Sequence, residues 1–191
     1  YLDVPGERKF AGMGVGTSAI SYTHALPDRD VFMVGNSDRV IEAAIEAAQH
    51  ARSVHLAVEP HADYTHQYLE LADRLETITV YNGYHVRGFS GEEYAEEVEI
   101  QRGSAGTMTV KADAFFLERE PEPNSALVRH LVDCDDRGYV KIDERNATSH
   151  PLIFAAGDVT TVGVEQILVA LGEGARAGLS AYRTVTAGKL S

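Results

Sequence analysis

The chain has 191 residues, 44% of them hydrophobic and 24% charged, with a formal net charge of −12 at pH 7. That balance describes a soluble globular protein of one ordinary domain or two small ones, and it excludes a nucleic-acid surface, which needs Lys and Arg gathered on one face. There is no apolar run long enough to cross a membrane and no signal-peptide pattern at Tyr1, and the single Cys134 excludes an internal disulfide, so a cytoplasmic setting is expected.

After an opening coil, Asp30 to Val34 is a short apolar run suited to a strand buried on both faces. Ser37 can cap a helix in which Val40, Ile41, Ala44, Ile45 and Ala48 recur at helical spacing to about Ala51. Ser53 to Val58 predicts the next strand, with Pro60 as its stop. A second helix follows over Tyr64 to Leu75, then a third strand over Thr77 to Tyr81. Strand, helix, strand, helix, strand is one βαβαβ half of a dinucleotide-binding sheet. His85 to Phe89, Glu96 to Gln101 and Thr107 to Leu117 alternate in polarity between Gly-containing turns, which predicts a three-stranded antiparallel meander. Glu118 to Asn124 reads as a charged, Pro-containing linker. Gly138 to Ile142 and Leu152 to Ala156 predict two more short strands. Val164 to about Thr186 predicts a closing helix with Gly172, Gly174, Ala175 and Gly178 along one side.

Two stretches carry candidate chemistry. Gly12-Met13-Gly14-Val15-Gly16 leads into Ser18-Ala19-Ile20-Ser21-Tyr22, and Leu152-Ile153-Phe154-Ala155-Ala156-Gly157-Asp158-Val159 leads into Glu165-Gln166-Ile167 and Gly172-Glu173-Gly174. Both resemble the thioredoxin-reductase-like family of class II pyridine nucleotide-disulfide oxidoreductases. The first is similar to its Gly-x-Gly-Val followed by Cys-x-x-Cys-Asp, and the second to its Val-Phe-Ala-Ala-Gly-Asp-Val signature. Leu2-Asp3-Val4-Pro5-Gly6 resembles the segment that follows the first flavin-domain half. The likeness therefore spans nearly the whole chain.

The resemblance implies an α/β fold: a Rossmann-like three-layer NAD(P)-binding domain with a β-meander, plus the carboxyl-terminal part of an FAD domain. Residues 1–27 would be a flavin-domain remnant and linker, 28–120 the nicotinamide domain, and 121–191 the carboxyl-terminal flavin portion. It implies that Asp158 meets the ribityl-phosphate side of FAD, beside Gly157, and that the backbone of Gln166 and Ile167 meets the flavin ring. The amino-terminal flavin half, with its own glycine cradle, has no counterpart in these residues. Strand 152–156 and the closing helix would then expose an apolar face. A longer polypeptide is the favoured explanation, a covering partner chain the other, and a homodimer is expected.

Ser18 and Ser21 fall on the family's two cysteines, and Tyr22 on the acid after them. A hydroxyl cannot exchange disulfides, because that reaction runs through a thiolate. No catalytic residue is therefore assigned. The nucleotide fingerprint Gly35-Asn36-Ser37-Asp38-Arg39-Val40 keeps its first glycine alone. Ser37 replaces the glycine that lets pyrophosphate approach, and Asp38 brings a carboxylate to an anion's place at the helix start. Glu120 replaces a further family glycine. Nucleotide binding is expected to be weak or absent. Glu59, 24 residues after Gly35, would favour NAD(H) over NADP(H) through the ribose, and it reads equally as a surface acid beside a turn proline. His50, His55, His61 and His66 straddle helix, strand and loop without a recognised metal-ligand spacing, and His24 has no partner in sequence that would activate Ser21. Two functions remain open: a flavin oxidoreductase without dithiol chemistry that passes electrons to an unknown acceptor, and a redox-inactive ligand- or partner-binding module.

Overall fold

In the computed structural model, which describes residues 2–190 and the side chains of 2–188, the apolar run around Phe32 becomes strand β2 (Asp30–Ser37), the middle of a five-stranded parallel sheet. The sheet runs β1 (Val15–Gly16), β8 (Ala114–Leu117), β2, β3 (Ser53–Asp63), β4 (Ile78–Asn82). Side chains alternate across β2, as the pleat requires. Val31 and Met33 enter one apolar cluster, Phe32 and Val34 the other.

The first cluster holds Val40, Ile41, Ala44 and Ala47 of helix α1 (Asp38–Ala47) and Leu69 and Ala72 of α2 (His66–Asp73). The second faces an antiparallel meander of β5 (His85–Ser90), β6 (Glu97–Gln101) and β7 (Thr107–Lys111). Helices, parallel sheet and meander are three layers, as expected of a Rossmann-like nicotinamide domain. Phe115 joins the last two: its ring lies 6.1 Å from that of Phe32 and 5.6 Å, edge-on, from that of Phe89. Burying one such ring stabilises by about 2–3 kcal/mol.

Several expectations are corrected. The alternation from Thr107 to Leu117 is two strands, not one: β7 pairs antiparallel with β6, and β8 runs parallel between β1 and β2. Asp113 makes the break, its N–H bonded to the Asp30 carbonyl at 2.7 Å and its carboxylate accepting the Asp30 N–H at 2.8 Å. Pro60 does not stop β3. The register passes from Gly35–Val58 to Ser37–Asp63, so residues 59–62 bulge out of the ladder, where a missing N–H costs nothing. Helix α2 is shorter than Tyr64 to Leu75.

Contacts divide the chain into Tyr1–Glu120 and Pro121–Ser191. In the second unit the segments 138–142 and 152–156 are not strands. They form only single bridges, Cys134 with Val140, Val140 with Thr160 and Ala147 with Phe154, and a strand needs a continuous ladder. Turns lead to a 3-10 turn at Gly157–Val159 and then to α3 (Ile167–Leu190), which begins later than Val164. Tyr1 and Ser191, the ends of the outer segments read from sequence, lie outside the described residues.

At the amino-terminal edge of the sheet, Arg52 pairs with Asp30 and lies 3.5 Å from Asp113, while the Ser53 hydroxyl donates to Asp30 at 2.7 Å. The Arg52 and Ser53 hydrogen bonds hold the Asp30 carboxyl down to about 2. A depressed folded pKa gives stability that is complete above the unfolded value, near 4, and is lost as pH falls through 2. The cluster is open to water, which screens it and keeps its contribution small. Asp30→Asn should lower the urea midpoint at pH 6, and the gap to wild type should narrow steadily as pH falls from 4 to 2. A gap of unchanged size at pH 2 would show that the carboxylate charge is not what matters.

Candidate functional site

Strand order reverses at β2: β3 and β4 lie on one side, β8 and β1 on the other. Ligands of such sheets sit outside the carboxyl ends of the strands at that reversal. Here those ends carry Gly35 to Ser37 from β2, Glu59 from β3, and Glu118, which continues directly from β8. The structure brings together all three nicotinamide-site residues read from sequence, Gly35, Ser37 and Glu59.

Gly35 is required by the chain's own backbone: a Cβ there would lie 2.2 Å from the Glu118 carbonyl oxygen and 2.6 Å from Val40 Cβ. Ser37 stands at the start of α1 but does not cap it with its side chain. Its hydroxyl donates instead to Glu120 Oε1 at 2.9 Å, and the Glu120 N–H bonds Asn36 Oδ1 at 3.2 Å. Asp38 accepts from the Thr65 N–H at 2.6 Å and the Thr65 hydroxyl at 2.7 Å, tying α1 to the start of α2. Glu59 is nearly buried, with Oε2 3.1 Å from Arg119 Nε but without a hydrogen bond's alignment.

Glu118, which the sequence places at the start of a solvated linker, is buried. Its Oε2 lies 3.4 Å from Arg39 Nε, and its other oxygen accepts the Ala19 N–H. No local signal marks it, because a charged residue after a strand ordinarily faces water.

The seat departs from the glycine-lined cradle of a pyridine dinucleotide. Pyrophosphate binding needs free backbone N–H groups at a glycine-lined helix start. Here the Ser37 hydroxyl is taken by Glu120, and Asp38, Glu118 and Glu120 bring carboxylates to the start of α1 beside Arg39 and Arg119.

Ala19 N–H also opens the 3-10 helix Ala19–Ala25, which follows Ser18 in the left-handed region at φ 60°. The Ser18 and Ser21 hydroxyls lie 2.9 Å apart and hydrogen-bond to each other on the surface. The fold thus brings the two side chains together as a redox pair would need, with oxygen in place of sulfur. Tyr22 packs on Phe116 with ring centroids 6.0 Å apart.

Among the histidines, His55 hydrogen-bonds Tyr81 Oη through Nδ1 at 3.2 Å, and burial holds its ring below the ordinary imidazole range. It is a half-buried packing residue. Among the described residues no three His, Cys, Asp or Glu side chains converge as a metal site.

In the second unit, Gly157 has φ 74° and opens the 3-10 turn that displays Asp158 at the surface. The turn is held from both sides. Gly157 N–H donates to buried Glu173 Oε2 at 2.7 Å, and the Gly157 carbonyl accepts from the Thr160 hydroxyl at 2.8 Å. Glu173 carries no signal of this role in the sequence beyond its place between the glycines of Gly172-Glu173-Gly174. Gln166 and Ile167 sit exposed at the beginning of α3. Along α3, Leu168 (82% exposed), Leu171, Leu179 and Tyr182 (69% exposed) present an uncovered apolar stripe. Among the described residues no helix is long and apolar enough to cross a membrane.

The family described as pyridine nucleotide-disulphide oxidoreductase matches residues 1–174. A thioredoxin reductase of Mycolicibacterium smegmatis is 33% identical over 188 residues, 96% of this chain and 60% of the relative. A component of the alkyl hydroperoxide reductase of Pseudomonas aeruginosa is 32% identical over 185 residues, 95% of this chain and 35% of the relative. The crystal structure of thioredoxin reductase from Streptococcus pyogenes superposes with a TM-score of 0.86 at 26% identity, covering 98% of this chain and 62% of that one. The chain spans between about one third and two thirds of the length of these proteins. With its three-layer first unit and its Gly157-Asp158 turn, the chain belongs to the pyridine nucleotide-disulphide oxidoreductase family, in the thioredoxin-reductase-like group.

Proposed function

We propose that this chain is the nicotinamide-domain and carboxyl-terminal flavin-domain portion of a cytoplasmic flavin oxidoreductase that works without a dithiol. The Ser18–Ser21 hydroxyl pair, 2.9 Å apart where the family's cysteines align, carries this reading. An oxygen pair can neither store two electrons as a disulfide nor attack one. Bound FAD would supply hydride acceptance and onward electron transfer to an acceptor. The chain's own part is to hold Gly157 with Glu173 and Thr160, so that Asp158 is presented at a fixed turn, and to offer the Gln166–Ile167 backbone. The apolar stripe of α3 would be covered by the remaining flavin-domain half, on the same or a partner chain, in a homodimer.

The carboxylates crowding residues 35–40 favour a second reading, a redox-inactive ligand- or partner-binding module. The visible spectrum separates the two. The oxidoreductase reading expects the protein, incubated with FAD and freed of unbound flavin, to stay yellow and to bleach under anaerobic NADH more readily than under NADPH. A folded protein that is colourless after unbound FAD is removed, even when supplied with the amino-terminal flavin half of a homologue, would sink it.

A further inference from the structure

We infer that the free edge of β4 is a docking groove for an extended peptide segment of a partner protein, with basic side chains toward α2 and apolar ones toward the meander. The five-stranded sheet ends at β1, two residues long, and at β4, five residues long, so β4 is its one edge with room for another strand. Pairing with β3 fixes which backbone groups are spare. Val54 N–H bonds the Thr77 carbonyl and Gly83 N–H bonds the Val58 carbonyl, each at 2.8 Å. Residues 77, 79, 81 and 83 therefore face β3, and Val80 and Asn82 turn their N–H and C=O groups outward. Ile78 N–H is taken by the Leu75 carbonyl at 2.9 Å, which closes the ladder at the amino end. Proteins commonly guard such an edge with charge or proline. Ile78-Thr79-Val80-Tyr81-Asn82 has neither.

The edge lies in a groove of about 580 Å³. Val80, Tyr81 and Asn82 all line it, so it reaches both faces of the strand. One wall is α2. Asn82 Nδ2 donates to Tyr64 Oη at 3.1 Å, which sets the start of α2 at the carboxyl end of β4 and Asp73, its last residue, toward the amino end. Glu70 and Asp73 give this wall its carboxylates. The other wall is the meander side, with Met108 and with Tyr84, whose ring meets that of Tyr81 edge-on at 5.7 Å. Arg102 stands beside Gly83, just past the carboxyl end of β4. A single extended chain fits between two walls, whereas a second copy's β4 carries flanking layers of its own. An added strand alternates its side chains between the walls, so the match is basic residues at Glu70 and Asp73, apolar ones at Tyr84 and Met108, and a carboxylate at Arg102. The net charge of −12 also favours approach of a basic segment.

The test is fluorescence anisotropy of a capped, dye-labelled hexapeptide, Lys-Leu-Lys-Leu-Lys-Glu, titrated with the full chain. With its glutamate at Arg102 this peptide runs parallel to β4, and the backbone groups of its leucines and glutamate face the strand while those of its lysines face water. N-methylation of the leucine and glutamate amides should therefore abolish saturable binding, and N-methylation of the lysine amides should leave it within about twofold. Charge attraction alone cannot tell these two peptides apart. Asp73→Lys, at an exposed helix end, should weaken the unmodified peptide on the order of tenfold, and a thermal melt matching wild type checks that the variant folds. No saturable binding of the unmodified peptide, equal affinities of the two methylated ones, or loss with the lysine set instead would each overturn the proposal. So would a dimer of the chain alone, seen by sedimentation, that Asp73→Lys dissociates, because the edge would then belong to a second copy.

Discussion

Gly35→Ala should destabilise the first unit by about 3 kcal/mol, lowering its melting temperature by on the order of 10 °C. The added methyl meets two objects that cannot both yield, the Glu118 carbonyl oxygen at 2.2 Å and Val40 Cβ at 2.6 Å. The first is main chain leaving β8 toward Glu120; the second belongs to buried α1. Relief requires pushing α1 off the sheet or breaking the bond from the Glu118 N–H to Val34. Gly106→Ala is the matched control: its φ is ordinary and a Cβ there meets nothing within 4 Å, so it should be neutral or slightly stabilising. Equal urea midpoints for the two variants would show that the approach of Glu118 to Gly35 is not what requires glycine. In this chain that glycine serves internal packing, whatever becomes of a nucleotide.

The second large effect is one of chemistry. Ser18→Cys with Ser21→Cys should yield a chain that forms a disulfide readily, because the two hydroxyls already lie 2.9 Å apart at the head of a short helix. Thiol titration before and after reduction should differ by two sulfhydryls per chain. NADPH-dependent reduction of thioredoxin should nonetheless stay at background. Tyr22 packs on Phe116 and brings no carboxylate beside the pair, and the carboxylates of Asp38 and Glu120 remain at the start of α1. Measurable turnover would mean that the serines alone separate this chain from a working reductase.

Much of the first unit is legible in the sequence because its elements follow period and burial. The run Val31 to Val34 is apolar throughout since both sheet faces are covered, and α1 writes its buried face in Val40, Ile41, Ala44 and Ala47. Topology is less legible. Nothing in the alternation from Thr107 to Leu117 tells that the chain leaves one sheet and enters another, because both strands need alternating or apolar residues; the one mark is Asp113, whose role emerges only when Asp30 and Arg52 are beside it. The segments 138–142 and 152–156 mislead, since apolar β-branched residues signal a strand only where a neighbour completes the ladder. At the site, residue type and order point to Gly35, Ser37, Glu59 and the serine pair. Glu118 and Glu173 are invisible because their importance lies in burial against distant backbone N–H groups, those of Ala19 and Gly157.

The serine pair also decides what can poison this loop. Vicinal thiols are titrated by peroxides, alkylating electrophiles and soft metals such as arsenic or gold, all of which act on sulfur. Two surface hydroxyls bonded to one another offer those agents nothing, so compounds aimed at such a cysteine pair should pass this loop by, leaving Cys134 as the one thiol among these 191 residues.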